Sequence, residues 1–369
     1  MEIARGRSVR RGYSLDDIAL VPSRRTRDVD DVSVAWEIDA FRFEVPMVGH
    51  PSDATMSPAS VVELGRQGGL GVLNAEGLWT RYEDPSPQYE RILGLEDMDG
   101  STALLQDVYS EPIKPELILE RIKEIRASGV TVAVRLSPQH TQTYANAVLE
   151  AGVDLLVIQG TIVSAEHVSK QDGALNLKTF IADLDVPVIV GGCTNYQTAL
   201  HLMRTGAAGI IIGVGADGYA STDSVLGIEV PMATAIAEAA AARRDYLDET
   251  GGRYVHVIAD GDVTTSGDIA KALACGADAV MLGEALSGAA EAPGGGAWWH
   301  SAASHPNLPR GHLADATDRL VPMDQLLYGP ADEAYGTMNL FGGLRRAMAK
   351  CGYSDVKEFQ KVELVLTRW

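Results

Sequence analysis

The sequence predicts an α/β protein in one domain spanning 1–369, built as a closed (β/α)8 barrel of the TIM type. Three observations carry that prediction. Eight short apolar segments recur between residues 45 and 284, and amphipathic helical stretches separate them. The segments are continuously apolar rather than alternating, which marks strands buried on both faces of a parallel sheet. Eight such units over about 240 residues close a barrel rather than leave an open sheet.

The strands, in order, are VPMVGH (45–50), LGVLN (70–74), VTVAVRLS (130–137), DLLVIQG (154–160), VPVIVGG (186–192), AGIIIGVG (208–215), YVHVIADG (254–261) and ADAVMLGE (277–284). Among the helical stretches, PELILERIKEIRASG, YQTALHLMRTG and SGDIAKALACG each end in glycine, as a left-handed C-cap requires. Three stretches stand outside the repeat, the last of them the C-terminal end. Residues 75–115 are too long for a simple connection, and 285–335 form an excursion marked by glycine and proline. Long loops in compact domains are functional lids or mobile segments, so a lid or flap is expected over 285–335. The end, NLFGGLRRAMAKCGYSDVKEFQKV, reads as a last helix and a docking tail.

Composition narrows the function. The chain is 46% hydrophobic and 22% charged, ordinary for a globular protein, and carries a net charge of −19. That charge argues against a nucleic-acid surface and means that an anionic ligand needs a local set of donors. The three cysteines, Cys193, Cys275 and Cys351, form neither a disulfide framework nor a metal knuckle and suit a reducing cytoplasm. The basic start MEIARGRSVRRG lacks the apolar run of a signal peptide, and no segment has the length of a membrane span. A soluble cytoplasmic protein is expected.

The stretch GIIIGVGADGYAST (209–222) holds Gly213-x-Gly215-x-x-Gly218, the spacing of a dinucleotide-binding turn. A dinucleotide fold places that turn after its first strand, with an acidic residue about 20 positions on at the end of the next strand. Here the glycines follow the sixth strand, and Glu238 and Asp245 fall inside a helical run. The stretch is therefore expected to be a loop at the C-terminal face of a barrel, where active sites form and late loops hold phosphate.

These segments resemble the IMP dehydrogenase and GMP reductase enzymes over nearly the whole chain. YSLDDIALVPSRRTR is similar to the family's N-terminal signature, and VPMVGHPSDATMSPASVVELGRQGGLGVLN to its first two barrel units. IVGGCTNYQTALHLMRTGAAGIIIGVG with VPMATAI resembles its nucleotide loop, and VIADGDVTTSGDIAKALACGADAVMLGEAL with EAPG its last two strands. The CBS pair often inserted after strand two has no counterpart, since 75–115 is too short to hold one. The pattern is that of a compact paralogue.

The resemblance implies hydride transfer at purine C2, with NAD or NADP as cofactor and a homotetrameric assembly. A cysteine thiolate first adds to the sp² carbon so that hydride can leave. The position of that cysteine falls on Ala220, and the neighbouring Ser221 is a poor nucleophile without a base. Thr222 belongs to the same candidate catalytic loop. Cys193, at the end of strand five, is a candidate relocated thiol or a small buried core residue. The resemblance also assigns Asp260 to the ribose hydroxyls, and Gly261 and Gly283 to phosphate through backbone N–H groups. Glu284 stands where a phosphate-binding Ser is common, Asp262 where a Gly is, and Gly218 where a second Ser is. The extra carboxylates either turn outward or exclude an ordinary nucleotide monophosphate. Gln159 takes the place of an Asp at the nicotinamide-side ribose, and Gly213 and Gly215 overlap a monovalent-cation turn followed by Asp217. Trp298 and Trp299 read as a packing or oligomer contact, and His300, His305 and His312 as surface-loop residues too irregular for a metal site. Two functions fit: a purine-nucleotide oxidoreductase using NAD(P), or a non-catalytic purine-nucleotide sensor or scaffold.

Overall fold

The computed structural model describes residues 2–95, 100–168 and 175–367. All eight expected strands form, each inside its expected segment or reaching one residue past it. They are β1 (Met47–Gly49), β2 (Val72–Asn74), β3 (Ala133–Leu136), β4 (Leu155–Gln159), β5 (Val188–Cys193), β6 (Gly209–Ala216), β7 (His256–Gly261) and β8 (Ala279–Leu282). One parallel sheet carries them, with each strand beside its sequence neighbours and β8 beside β1. A parallel bridge from Val48 to Leu70, just before β2, closes the circle, so the fold is the (β/α)8 barrel.

Helices α1 (Pro58–Arg66), α2 (Pro115–Ala127), α3 (Thr141–Glu150), α4 (Leu177–Ala182), α5 (Tyr196–Met203), α6 (Met232–Thr250), α7 (Ser266–Ala274) and α8 (Leu340–Cys351) surround the sheet. The side chains of Ser57, Asn176, Asn195 and Thr265 cap four of them by accepting a backbone N–H in the first turn. The three glycines expected as C-caps, Gly129, Gly206 and Gly276, all have positive φ. Among the described residues no helix is long and apolar enough to cross a membrane.

Strand alternation sorts the core into two layers. Leu155, Val157, Ile189, Ile211 and Ile258 fill the barrel lumen with Trp36, Ile38 and Phe43. The last three lie on a hairpin, Trp36–Ile38 paired with Phe41–Phe43, that plugs the N-terminal end against the starts of β6 and β7. The opposite faces of the strands pack on the helices. Each Leu or Ile fully buried in these layers stabilises the fold by roughly 1.5–3 kcal/mol. The plug leaves the C-terminal mouth as the end where polar groups collect.

The two excursions meet over that mouth and share a third core. Leu78, Tyr89, Leu105 and Val108 from the first pack with Trp298, Trp299 and Leu313 from the second. Trp299 donates from Nε1 to the Tyr109 hydroxyl (3.0 Å), which donates to Asp53 beyond β1 (2.7 Å). The segment after β8 is thus a packed roof anchored to the barrel rim. The docking tail is also present: Glu363–Leu366 pairs antiparallel with Ile18–Val21.

Candidate active site at the barrel mouth

The glycine loop owes its shape to close packing within the protein. Ile212 lies opposite Ala259 but Ala216 lies opposite Gly261, so β6 carries extra residues and bulges. Gly213 and Gly215 make the bulge with φ of 115° and 69°. A Cβ on Gly213 would overlap the Asp260 carbonyl, and one on Gly215 would overlap the His300 ring. Beyond the bulge, Asp217 Oδ1 accepts the Tyr219 N–H (2.8 Å), and Ser221 Oγ accepts the Gly311 N–H of the roof (2.7 Å). Thr222 is buried at the start of a short helix, Thr222–Leu226.

On the β6–β8 side the loop faces a pocket of only about 20 Å³, lined among others by Asp217, Asp260, Gly261, Asp262, Gly283, Glu284 and Trp298. The Trp298 ring lies where a Cβ on Gly283 would be, and its Nε1 donates to Asp217 Oδ2 (2.8 Å). The Trp298 ring therefore covers Gly283, one of the two glycines expected to hold phosphate. The Gly218 N–H acts on the Glu284 carboxyl and lowers it against the larger effect of burial. Asp262 sits at φ 53°, a left-handed conformation where glycine is the usual residue. Burial and the Asp217 charge push Asp260 and Glu284 up to about 7 each. Burial, Glu229 and Asp217 push Asp262 to about 6. Of the extra carboxylates, Asp262 is exposed to solvent, while Glu284 is half-buried in the pocket wall.

On the β2–β4 side a cavity of about 580 Å³ opens under the roof, lined by Glu76, Arg81, Arg135, His140, Gln159, Asp260, His300 and Arg310 among others. Burial raises the Glu76 carboxyl, but the Arg135 guanidinium (3.7 Å), the His140 ring (2.7 Å) and the Ser137 N–H outweigh it and hold it at about 2. The Glu76 hydrogen bond raises His140 in turn. Gln159 Nε2 donates to Asp260 Oδ2 (2.8 Å), while Gln159 Oε1 is buried without a donor. His50 stands 3.9 Å from the same Asp260 oxygen, 2% exposed and with both ring nitrogens unpartnered. Burial, His300 and Arg135 keep it neutral, and burial lowers His300 to about 4. Among the described residues no group of three or more His, Cys, Asp or Glu has the arrangement of a metal site.

Residues 12–304 match the family model described as the IMP dehydrogenase / GMP reductase domain. The chain belongs to the IMP dehydrogenase/GMP reductase family. It is 57% identical over 372 residues to an uncharacterized oxidoreductase of Mycobacterium tuberculosis, covering 99% of each chain. It is 56% identical over 373 residues to an uncharacterized oxidoreductase of Mycobacterium leprae, covering 100% of each. A crystal structure of an IMP dehydrogenase/GMP reductase-like protein from Corynebacterium glutamicum superposes with a TM-score of 0.95 at 53% identity, over 100% of this chain and 97% of that one.

None of the three thiols of this family member lines the mouth. Cys193 is 1% exposed and packs in the strand–helix layer, where burial pushes the thiol up to about 12. Strict alternation from the lumen-facing Ile189 would point it into the lumen. The register of β5 slips between Gly191 and Cys193, and that slip turns the side chain outward beside Ile212. Cys275 caps the end of α7 with its thiol pushed to about 12, and Cys351 closes α8. Of the two readings of Cys193, this burial matches the small core residue and not a thiol relocated to the mouth. Trp298 and Trp299 are packing residues, 1% and 0% exposed. His300 is a second correction: it lines both pockets at the mouth, while the exposed His305 borders the larger cavity and His312 is exposed outside both. Sequence reasoning also missed Glu76, Arg81, Arg135, His140, Arg310 and His50. Two of these had a signal, since Arg135 is a lone charge inside an apolar strand and His50 ends one.

Proposed function

We propose that this member of an oxidoreductase family binds a purine nucleotide at the barrel mouth without performing thiol-dependent hydride transfer. The observation that carries this reading is the absence of a thiol from the mouth: Ala220 stands in the loop, and all three cysteines lie elsewhere. Hydride leaves purine C2 only after a nucleophile has made that carbon tetrahedral, and a methyl group makes no such bond. Asp260, at the junction of the two pockets, is suited to accept the ribose hydroxyls.

A nicotinamide cofactor fits the same cavity through Gln159, whose free Oε1 is an acceptor for a ribose hydroxyl or carboxamide N–H. Bound there, NAD(P) would supply the hydride chemistry. We place the protein in the cytoplasm as a homotetramer, and light scattering that reports a monomer at micromolar concentration refutes the assembly. The test of function pairs thermal shift with IMP, GMP and XMP against NADH formation from IMP and GMP-dependent NADPH oxidation. Stabilisation by a nucleotide without turnover is expected. Turnover by the wild type overturns the reading, and its loss in Cys193→Ala would return that thiol to the mechanism.

A further inference from the structure

The two pockets differ in charge, and the difference bears on how a nucleotide sits. This step rests on the reading that a purine nucleotide binds. The β6–β8 pocket offers a phosphate dianion about 20 Å³ and four carboxyl groups. The cavity under the roof has the opposite character. Arg135 is matched by Glu76; Arg81 is attracted by Asp53 without a direct ion pair, and Arg310 forms no ion pair among the described residues. Arg310 donates to the Leu308 carbonyl and Thr161 Oγ1 (3.0 Å each), and its Nε is buried without an acceptor. Arg81 donates to the Glu76 and Glu111 carbonyls and lies over the Tyr109 ring. Two guanidinium groups without a direct ion pair among the described residues thus line one cavity in a chain of net charge −19.

We infer that the phosphate of the bound purine mononucleotide is held by Arg81 and Arg310 under the roof, reversed from the Gly261–Gly283 end. Guanidinium groups match a phosphate in geometry as well as charge, and the ester oxygens supply the acceptor that Arg310 Nε lacks. The ribose then lies toward Asp260, which lines both pockets.

The test is calorimetric titration of the full chain with GMP, IMP, guanosine, inosine, NAD and inorganic phosphate. Arg81→Gln and Arg310→Gln are each expected to weaken GMP and IMP at least tenfold and to leave the nucleosides unchanged. Arg310→Lys, which keeps the charge, is expected to recover part of that loss, and unchanged melting temperatures exclude misfolding. Wild-type affinity for GMP in both glutamine variants overturns the inference. So does a Glu284→Ala variant that binds GMP tenfold more tightly, and so does a loss confined to NAD. If no purine binds the wild type, the proposed function fails, and inorganic phosphate then decides the anion site. Phosphate binding that is lost in Arg310→Gln supports it, and no phosphate binding overturns it.

Discussion

The β2–β4 and β6–β8 halves of the barrel mouth start from the same architecture, polar side chains at the C-terminal ends of parallel strands, and diverge in what surrounds those side chains. In the first, Glu76 faces Arg135 and His140 and is held at about 2. In the second, Asp260 and Glu284 face Asp217 and are pushed up to about 7. Burial acts in the same direction on all three carboxyls; the neighbouring charge decides the outcome. Space follows the same division, about 580 Å³ against about 20 Å³, because Trp298 of the roof lies on Gly283. The strand ends fix where a site can form, and the roof decides which half is open.

The largest effect is expected from breaking the closed half. Trp298→Ala removes a fully buried ring that packs on Gly283 and binds Asp217. It should cost about 3–5 kcal/mol of stability, the range for Trp-to-Ala changes in a core. Urea unfolding of the two proteins measures it. A cost below about 1 kcal/mol would mean that the ring is loosely seated and the closed half opens readily. Next comes Asp260, which borders both halves. Asp260→Ala should weaken purine-nucleotide binding by roughly 2–4 kcal/mol, through loss of a charged acceptor and stranding of its donors. An unchanged dissociation constant removes Asp260 from the site.

The barrel was legible because continuous apolar strands and glycine-ended helices are local patterns, and the glycine loop was placed by its rank among the strands. Three features of the site were not. The side on which Cys193 emerges depends on one register slip in β5, and alternation read without that slip gives the wrong face. His300 and Trp298 lie in an excursion without periodicity, and only long-range packing sets them against Gly215 and Gly283. The arginine-rich cavity draws Arg81, Arg135 and Arg310 from three distant segments, so no spacing records it. Asp260 and Gln159 were legible at strand ends, and their mutual hydrogen bond was not.

A smaller effect sharpens the electrostatic contrast. Glu284 is raised from 4.5 to about 7, so the folded state holds its proton more tightly than the unfolded chain does. The stability associated with that proton is complete below about pH 4.5 and is lost as pH rises to about 7. Glu284→Gln should therefore stabilise the protein at pH 8 and not at pH 4. Solvent screening of this half-exposed group limits the gain to about 1 kcal/mol. Denaturant melts at the two pH values give the comparison, and an equal effect at both would remove the charge as the cause.

The smallest effect concerns the thiols, and it tests whether the loop or β5 is the place where a nucleophile could act. Cys193 is buried against the helices and its thiol is pushed up to about 12, so it is protonated and shielded at neutral pH. Ellman's reagent should label it slowly in the native protein and rapidly after unfolding, and Cys193→Ala should leave nucleotide binding unchanged. Position 220 is the contrast, half-buried on a loop tied to the roof. Ala220→Cys should add one thiol that labels in the native state. Turnover should still be absent, because the Asp217 and Glu284 carboxyls beside the loop disfavour a thiolate. Turnover gained by Ala220→Cys alone would show that the missing sulfur is the whole difference between this mouth and a working dehydrogenase. Turnover gained only when Glu284→Gln is added would assign the rest of the difference to the acidic half.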